Sequence, residues 1–220
     1  MSKPVCLDLF CGAGGAGHGY ALAGFEVIGV DIDPHPSFPY EFHQDDALRA
    51  LRKVADTGHY RGHLVTLAHA SPPCQAYTNA AKIMKREHPD LVGPVRQLLE
   101  EWGGSWVIEN VPGSPLVDPI ELCGAMFPGL RTYRHRLFES NMPLTQPEHP
   151  EHKWRTTKMG RRPIEGEFMH VVGNFSGVEE AREAMGIPWM SRDDLRESIP
   201  PVYTEFVGSQ IIQQLAKAAA

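Results

Sequence analysis

Short apolar runs alternate with amphipathic segments along the first half of the chain. The runs are nearly all apolar and are bounded by Gly, Pro, Asp or Asn, which predicts strands that are buried on both faces. These predicted strands lie at residues 5–10, 26–30, 64–70 and 106–108. Segments with apolar residues at helical spacing separate them, at residues 17–23, 47–55 and 91–101. The alternation predicts an α/β fold with a mostly parallel central sheet.

The pattern weakens after Phe127. Residues 141–166 contain several prolines, much charge and no clear period, which is typical of a long loop or an inserted lobe. Val171 and Val172 are interpreted as a return strand, and helices are predicted at 178–185 and 204–218. We expect three parts: a catalytic cofactor-binding domain at 1–139, a short recognition lobe at 140–170, and a return strand with C-terminal helices at 171–220.

Composition indicates an ordinary globular protein. The 220 residues are 42% hydrophobic and 22% charged, and no apolar run approaches the roughly 18 residues of a membrane span, so no membrane association is expected. Four cysteines lack the density of a disulfide framework, which favours a reducing cytoplasm, in a bacterial or phage-infected cell. No metal site is expected, because no Cys-x₂-Cys pair exists and the 11 histidines are scattered.

The charge distribution is uneven. A formal net charge of −6 argues against a protein that coats nucleic acid non-specifically. Residues 152–162 nevertheless hold five Lys or Arg, one Trp and no acid. Such a stretch neutralises phosphates and stacks on a base, or it is simply a solvated basic loop. Two of its members, Lys153 and Arg155, are candidate substrate contacts.

A glycine-rich turn follows the first predicted strand. Gly12, Gly14 and Gly17 have the G-x-G-x-x-G spacing, which lets backbone amides approach a ligand at a helix N-terminus. Asp31 follows the second strand, where a carboxylate accepts hydrogen bonds from ribose hydroxyls. The turn therefore predicts a cofactor that contains a nucleoside. Nicotinamide dinucleotide and S-adenosylmethionine both fit this pattern.

A single cysteine lies in a stiff turn after the strand at 64–70. In the run Ser-Pro-Pro-Cys-Gln, Pro72 and Pro73 fix their own φ angles and hold the preceding residue extended. The backbone that presents Cys74 therefore has little freedom, which indicates a nucleophile for covalent catalysis. The other three cysteines lie in a strand, in the glycine turn and after an apolar turn at 120–122, and they are interpreted as structural.

Three motifs in order resemble those of the DNA cytosine-5 methyltransferases: Asp-Leu-Phe-Cys-Gly-Ala-Gly-Gly at 8–15, Ser-Pro-Pro-Cys-Gln at 71–75 and Glu-Asn-Val at 109–111. Arg-His-Arg at 134–136 resembles the later Arg-x-Arg element, and residues 202–212 resemble the closing motif. The resemblance implies a Rossmann-like S-adenosylmethionine-dependent methyltransferase fold with a small recognition lobe. It also implies S-adenosyl-L-methionine as cofactor and DNA, duplex or single-stranded, as substrate.

The resemblance carries roles onto matching positions. Those expected near the cofactor are Asp8, Phe10, Cys11, Gly12, Ala13, Gly14, Gly15, Asp31, Ile32, Asp45, Asp46, Pro72 and Ser209. Those expected in catalysis are Cys74, Glu109, Arg136 and Arg134. Those expected near the substrate are Ser71, Gln75, Asn110, Val111, Lys153 and Arg155.

The implied chemistry explains these residue types. Carbon 5 of cytosine is a poor nucleophile until a thiolate, here from Cys74, adds to carbon 6. Glu109 would supply a carboxylic acid at ring nitrogen N3, and Asn110 would brace the cysteine turn. A base inside a duplex must be extruded to reach such a pocket, and residues 76–90 could close over it as a lid.

The chain departs from the family pattern in three places. The interval between Arg-x-Arg and the final motifs is short, Thr132 stands where Gln is usual, and Gly208-Ser209 stands where Gly-Asn is usual. A short lobe favours a relaxed recognition site, a protein partner that supplies specificity, or a non-duplex substrate. RNA or a free cytosine nucleotide as substrate, and a catalytically silent nucleic-acid-binding homologue, stay open. A nicotinamide oxidoreductase leaves Pro-Pro-Cys-Gln unexplained.

Overall fold

The computed structural model describes residues 3–73 and 90–218. Its strands are β1 Val5–Leu9, β2 Glu26–Asp31, β3 Glu41–Gln44, β4 His59–Tyr60, β5 His63–Ala70, β6 Ser105–Asn110, β7 Ile120–Leu122 and β8 Arg136–Ser140. Its helices are α1 Gly15–Ala23, α2 Ala47–Thr57, α3 Val92–Trp102, α4 Val178–Met185, α5 Arg192–Glu197 and α6 Pro201–Ala218, with a 3₁₀ turn at Gly124–Met126. Within the described ranges, no helix has both the length and the apolarity to cross a membrane.

The strands form one sheet in the order β3-β2-β1-β5-β6-β8-β7, and β4 pairs with β5. The pairs along β3-β2-β1-β5-β6 are parallel, whereas β4 is antiparallel to β5 and β8 is antiparallel to both β6 and β7. The predicted α/β fold with a mostly parallel sheet is therefore confirmed. Strand order reverses between β1 and β5, and open α/β sheets bind ligands in the crevice at the carboxyl ends of such strands.

Helices cover both faces of the sheet. Alternate residues of β1 point into two hydrophobic cores, one on each face of the sheet. Leu7 and Leu9 pack with α2 and α3 in one core, whereas Cys6 packs with α1 and α6 in the other. Helix α2 is also strongly amphipathic in sequence. Asp46 caps the N-terminus of α2, where its side chain accepts a hydrogen bond from the Arg49 amide at 2.8 Å. The short apolar strands thus follow from burial on both faces.

Glycine brings α1 and α6 into close contact. A Cβ on Gly19 would lie 2.0 Å from the Pro201 carbonyl oxygen, so no larger residue fits there. The hydroxyl of Thr204 donates to the carbonyl of Ala16 at 2.7 Å, which fastens the first turn of α6 to α1. The two helices run in the same direction, since Gly208 faces Tyr20 farther along both.

Two predictions in the second half are wrong. Val171 and Val172 form no strand; Val171 packs instead in a third core cluster with α4 and α5. The antiparallel strand that pairs with β6 is β8, and residues 120–122, expected as a turn, are strand β7. Between β8 and α4 the chain has no helix or strand in the described structure apart from an isolated bridge of Thr156 to Phe168.

Candidate active site

Hydrogen bonds join the strand ends at the point where strand order reverses. The Cys11 amide donates to the Val30 carbonyl at 3.2 Å, and the Ser71 amide donates to the Leu9 carbonyl at 3.1 Å. The Asn110 side chain then donates to the Pro72 carbonyl at 2.9 Å. The loops that follow β1, β2, β5 and β6 are therefore one connected edge. The motifs at 8–15 and 109–111 meet there with residues 71–73, the described part of the cysteine motif.

The glycine turn requires left-handed backbone. Gly12 has φ +50° and Gly14 has φ +89°, conformations that glycine adopts without steric cost. A Cβ on Gly12 would meet nothing within 4 Å, so its outer side is open to a ligand. Phe10 also has a positive φ of 59°, which is uncommon for an aromatic residue and points to a functional constraint. On the inner side, Trp189 donates to the Ala13 carbonyl at 2.9 Å and supports the turn.

The acid after β2 holds this turn in place. Asp31 accepts hydrogen bonds from the Gly12 amide at 2.9 Å and from the Asp33 amide at 3.1 Å, one on each carboxylate oxygen. Each oxygen keeps a further lone pair for a ribose hydroxyl. Ile32 beside it is 63% exposed, an apolar surface against which a flat base can pack. The open glycine turn, the carboxylate and the exposed Ile32 together fit an adenosine group.

The structure separates the two candidate acids that follow β3. Asp45 is engaged by the protein, because it accepts from the Asp46 amide and Tyr60 and forms an ion pair with Arg49. Asp46 is exposed and uses only Oδ1, which accepts from the Arg49 amide. Asp46 is therefore the better placed of the two for an adenine amine.

Three expected cofactor residues do not reach the open side of the turn. Asp8 is fully buried beneath α1, where its carboxyl would lie 2.8 Å from a Cβ on Gly17. Cys11 is buried, and burial raises the pKa of its thiol. Ser209 lies on α6 beside the C-terminal half of α1, whereas the turn precedes the N-terminus of α1. Asp8 and Cys11 therefore contact the turn only from inside the protein, and Ser209 is distant along the helix.

The charge state of Asp8 follows from its surroundings. Burial raises the pKa of its carboxyl to about 8; the Gly17 amide opposes this effect, and Asp31 and Glu109 add to it by repulsion. At neutral pH the side chain therefore holds its proton. A neutral acid avoids placing a third negative charge behind the site.

The turn before the candidate nucleophile is anchored on both sides. Asn110 uses both ends of its amide, donating to Pro72 and accepting from the Val111 amide at 2.9 Å. The prediction that Asn110 braces this turn is confirmed for its described part. Cys74, Gln75 and the expected lid at 76–90, except for its last residue, lie outside the described residues.

Glu109 and Arg136 face each other at the end of β6. The Arg136 Nε lies 3.0 Å from Glu109 Oε1, and both side chains are largely buried. Burial raises the pKa of the Glu109 carboxyl, while the positive charge of Arg136, a hydrogen bond from Ser71 and the charge of Arg134 lower it. Within the described residues, Oε1 has the ion pair but no hydrogen bond of good geometry. A carboxyl in this state can give a proton to a ring nitrogen.

A series of hydrogen-bonded polar side chains leads from Tyr20 on α1 to Glu109. Tyr20 lies 3.0 Å from Nδ1 of His69, and His69 Nε2 lies 2.9 Å from the Ser71 hydroxyl. Burial lowers the pKa of His69 to about 3, so its ring is neutral and has one donor and one acceptor nitrogen. Since Ser71 donates to Glu109, the donors run in one direction from Tyr20 to the carboxylate. The spacing of these residues in the sequence does not predict that they are hydrogen-bonded to each other. The one signal in the sequence is that His69 is a polar residue within an apolar strand.

Arg134 serves the backbone. Its guanidinium donates to the Val171 carbonyl at 2.6 Å and to the Arg196 carbonyl at 2.7 Å, and the residue is buried with φ 33°. These contacts tie the segment before β8 to the third core cluster and to α5. The expected catalytic role therefore has less support for Arg134 than for Arg136, which faces Glu109 directly.

Residues 153–155, in the segment expected to be a recognition lobe, present an aromatic ring and basic groups to solvent. Lys153 and Arg155 are exposed, and Trp154 between them is 54% exposed. The Trp154 amide and carbonyl both bond the hydroxyl of Tyr133, at 2.9 and 2.8 Å, which holds this part of the lobe against the sheet domain. Arg161 is instead paired with Glu167 at 2.5 Å. Lys153 and Arg155 thus flank an exposed indole, and Lys158 and Arg162 are also exposed.

Comparison with known proteins identifies the class. The family model described as C-5 cytosine-specific DNA methylase matches residues 5–116, and the chain belongs to that family. The resemblance carried by the three motifs is therefore confirmed. A curated relative, Type II methyltransferase M.XorII of Xanthomonas oryzae pv. oryzae, is 30% identical over 124 residues. The match covers 51% of this chain and 29% of the relative, so it spans less than a third of that protein.

Solved structures share the whole fold. A protein solved as a DNA modification methyltransferase encoded within an E. coli prophage matches 97% of this chain and 100% of its own, with a TM-score of 0.68 at 16% identity. Entamoeba histolytica methyltransferase EhMeth covers 100% of both chains with a TM-score of 0.61 at 14% identity. The S. pombe Dnmt2 methyltransferase matches 97% of this chain and 99% of its own, with a TM-score of 0.63 at 13% identity. These likenesses establish the methyltransferase fold.

Proposed function

We propose that this chain transfers a methyl group from S-adenosyl-L-methionine to carbon 5 of cytosine in DNA, through a covalent bond between Cys74 and carbon 6. One observation carries the proposal: Asn110 binds the Pro72 carbonyl while its neighbour Glu109 faces Arg136. The turn that leads to the nucleophile and the acid that would meet the ring are thereby held by adjacent residues of one strand.

The cofactor would lie on the open side of the glycine turn. Backbone amides at the start of α1, the Asp31 carboxylate and the exposed Ile32 would hold its adenosine, with Asp46 beyond β3. Phe10, Gly12, Ala13, Gly14 and Gly15 form the turn itself. Bound there, S-adenosylmethionine supplies an electrophilic methyl group on sulfur.

The residues around the base then divide the work. The Cys74 thiolate adds to carbon 6, and the electron pair displaced from the ring double bond moves toward N3, where Glu109 delivers a proton. Carbon 5 is then nucleophilic and would take the methyl group from sulfur, which leaves S-adenosylhomocysteine. Loss of the proton from carbon 5 expels the Cys74 thiolate, and the proton on N3 returns to Glu109, so that the aromatic ring, the free thiolate and the acid are restored. Arg136 keeps Glu109 oriented and offers donors to the cytosine carbonyl.

The recognition lobe would contact the nucleic acid. Lys153 and Arg155 are exposed and would meet phosphates, and the exposed ring of Trp154 would stack on a base that has left the duplex. With few such groups, the lobe supports a short recognition sequence. A partner protein that supplies specificity stays a prediction. We also propose a reducing compartment, the cytoplasm, because the three cysteines in the described ranges are free thiols.

Methyl transfer with a labelled cofactor tests the proposal. The protein is incubated with S-adenosylmethionine tritiated in the methyl group and with duplex DNA, single-stranded DNA or RNA, and the nucleic acid is digested to nucleosides. We expect the label in 5-methyldeoxycytidine from a DNA substrate. Cys74→Ser should abolish transfer and leave cofactor binding within about twofold, because the proposed role of the thiol is to bond carbon 6 of the base and not to hold the cofactor.

Cys6→Ala is the matched control, since Cys6 is a buried thiol of β1 outside the site. It should keep transfer per folded molecule. Label on adenine N6 or cytosine N4, or full transfer by Cys74→Ser, would overturn the mechanism, because methylation of an exocyclic amine needs no thiol. Label in RNA alone would overturn DNA as the substrate and keep the chemistry.

A further inference from the structure

Four side chains that sequence analysis treated as unrelated meet beside the edge strands. Cys123 follows β7, His135 immediately precedes β8, and His149 and His152 lie in the recognition lobe. One ligand atom from each residue, a sulfur and three ring nitrogens, lies within 4.8 Å of every other. Cys123 is buried at the base of this cluster, His135 is half-buried, and His149 and His152 are exposed. None of the four takes part in the reaction proposed above.

Two of the distances between ligand atoms match a tetrahedral site. With Zn–S near 2.3 Å and Zn–N near 2.05 Å, two nitrogens of a tetrahedron are about 3.3 Å apart, and a sulfur and a nitrogen about 3.6 Å. The Cys123 sulfur lies 3.3 Å from His152 Nε2, and His135 Nε2 lies 3.2 Å from His149 Nε2. Both pairs therefore already have about the spacing of two ligands on one ion.

Ring packing indicates that the nitrogens converge on one point. His135 and His149 are stacked with centroids 5.4 Å apart, and each has its centroid 5.1 Å from that of His152. Tautomers of neutral imidazole can satisfy the His135–His149 and Cys123–His152 contacts pairwise by N–H hydrogen bonds, whereas a single cation satisfies the lone pairs of all four ligand atoms at once. Glu121 adds negative charge, since its carboxylate lies 3.7 Å from His135 Nε2.

We infer that Cys123, His135, His149 and His152 bind one Zn²⁺ ion. One thiolate with three imidazoles is a donor set that suits zinc, and four protein ligands fill the tetrahedron, as in structural rather than catalytic zinc sites. The sequence hides this site because its ligands are spaced Cys-x₁₁-His-x₁₃-His-x₂-His, without a Cys-x₂-Cys pair.

The ion would fasten the recognition lobe to the sheet. Residues 143–153 have no helix or strand, and their tie to the sheet domain includes the stacking of His152 on Tyr133 at 3.7 Å between ring centroids. One ion would then bind two ligands from the lobe, His149 and His152, and two from the sheet domain, Cys123 and His135. His135 also adjoins Arg136, whose guanidinium donates to the His135 carbonyl at 2.8 Å. Zinc binding at His135 would therefore also help to fix the position of Arg136, which pairs with Glu109.

Metal binding by the full chain is the test. The protein is stripped with a chelator under reducing conditions, dialysed, and titrated with Zn²⁺ in competition with a chromophoric chelator. We expect one Zn²⁺ per chain, and Co²⁺ in its place should give a thiolate-to-metal charge-transfer band and the visible bands of a tetrahedral ion. His149→Ala and His152→Ala, at exposed positions, should each weaken zinc binding at least about 100-fold, and Cys123→Ser should abolish the charge-transfer band.

His170→Ala is the matched control, because His170 is an exposed histidine of the same lobe outside the cluster. It should bind zinc like the unaltered chain. Circular dichroism checks that each variant is folded before its affinity is compared. The inference is overturned if the unaltered chain binds no zinc, or if it binds no more tightly than the folded His149→Ala, His152→Ala double variant. This readout does not depend on methyl transfer.

Discussion

Asn110 donates a hydrogen bond of 2.9 Å to the carbonyl of Pro72, and this contact joins the end of β6 to the turn that leads to Cys74. The donor is buried and its other end accepts from the Val111 amide, so the side chain has little freedom to rotate. The Pro72 carbonyl, two residues before the proposed nucleophile Cys74 in sequence, and the strand end that carries Glu109 are thereby linked through one residue. Two strands that are adjacent only by sheet pairing behave as one catalytic edge.

Asn110→Ala should lower kcat about 10- to 100-fold and change cofactor affinity little, because the cysteine turn loses its brace while the glycine turn is untouched. Tritium transfer and equilibrium binding of the cofactor measure the two effects. Asn141→Ala is the matched control: Asn141 accepts from the Trp106 amide at 2.9 Å and donates to the Gly104 carbonyl near the other end of β6. Both variants should lose about 1–2 kcal/mol of stability. Equal losses of kcat would contradict the role of Asn110.

Arg136→Gln should lower kcat/KM about 10- to 100-fold and move its pH dependence. The positive charge of Arg136 lowers the pKa of Glu109, so its removal raises that pKa. Because Glu109 acts as an acid, activity declines as pH rises through this pKa, and the decline should occur at higher pH in the variant. Rate measurements across a pH series test the direction. Arg96→Gln breaks another buried ion pair, with Glu139, and should leave the position of the decline unchanged.

Asp8→Asn should flatten the pH dependence of stability. The folded pKa of Asp8 is about 8 against an ordinary value of 3.8, so the folded state holds more protons and stability falls as pH rises between those values. One proton contributes at most about 1.4 kcal/mol per pH unit to that fall. Urea unfolding at several pH values from 5 to 8 measures the slope. A variant that loses stability with pH as steeply as the unaltered protein would show that Asp8 is ionised throughout.

The double change Lys153→Gln, Arg155→Gln should weaken DNA binding and reduce its dependence on salt. Each phosphate contact contributes about 0.9 to the slope of log K against log salt, so two lost contacts reduce the slope by about 1.8. Fluorescence anisotropy at several salt concentrations measures it. Arg52→Gln with Lys53→Gln removes the same charge from exposed positions on α2. If both double variants have the same slope, the lobe is not the DNA contact.

Periodicity predicted the buried strands because they are apolar on both sides. It failed at β8, where Glu139 is buried and paired with Arg96, so a core strand has a polar residue at an inward position. It also misplaced Val171, since a pair of valines has the composition of a strand whichever element covers it. Strand pairing, which decides both cases, is a long-range property that local pattern does not contain.

The residues of the candidate site also fall into those that the sequence predicts and those that it does not. Motif order predicted the glycine turn, Glu109 and Asn110, because each occupies the end of a strand that the sequence marks clearly. The hydrogen bond between Tyr20 and His69 was not predicted, since those two residues are 49 positions apart in the sequence. Cys123 and His152 are likewise 29 positions apart, and only the folded β7–β8 pair brings them together. Contacts of this kind are visible only after the topology is known.

The close fit of α1 against α6 has a consequence for biogenesis. The glycine turn and α1 are synthesised well before α6, yet the carbonyl of Ala16 and the notch at Gly19 receive their partners from Thr204 and Pro201. An emerging chain therefore exposes an apolar, glycine-lined groove until α6 has been translated. Since such long-range closure is slow and leaves intermediates prone to aggregation, the yield of folded protein should depend on chaperones that shield α1 during synthesis.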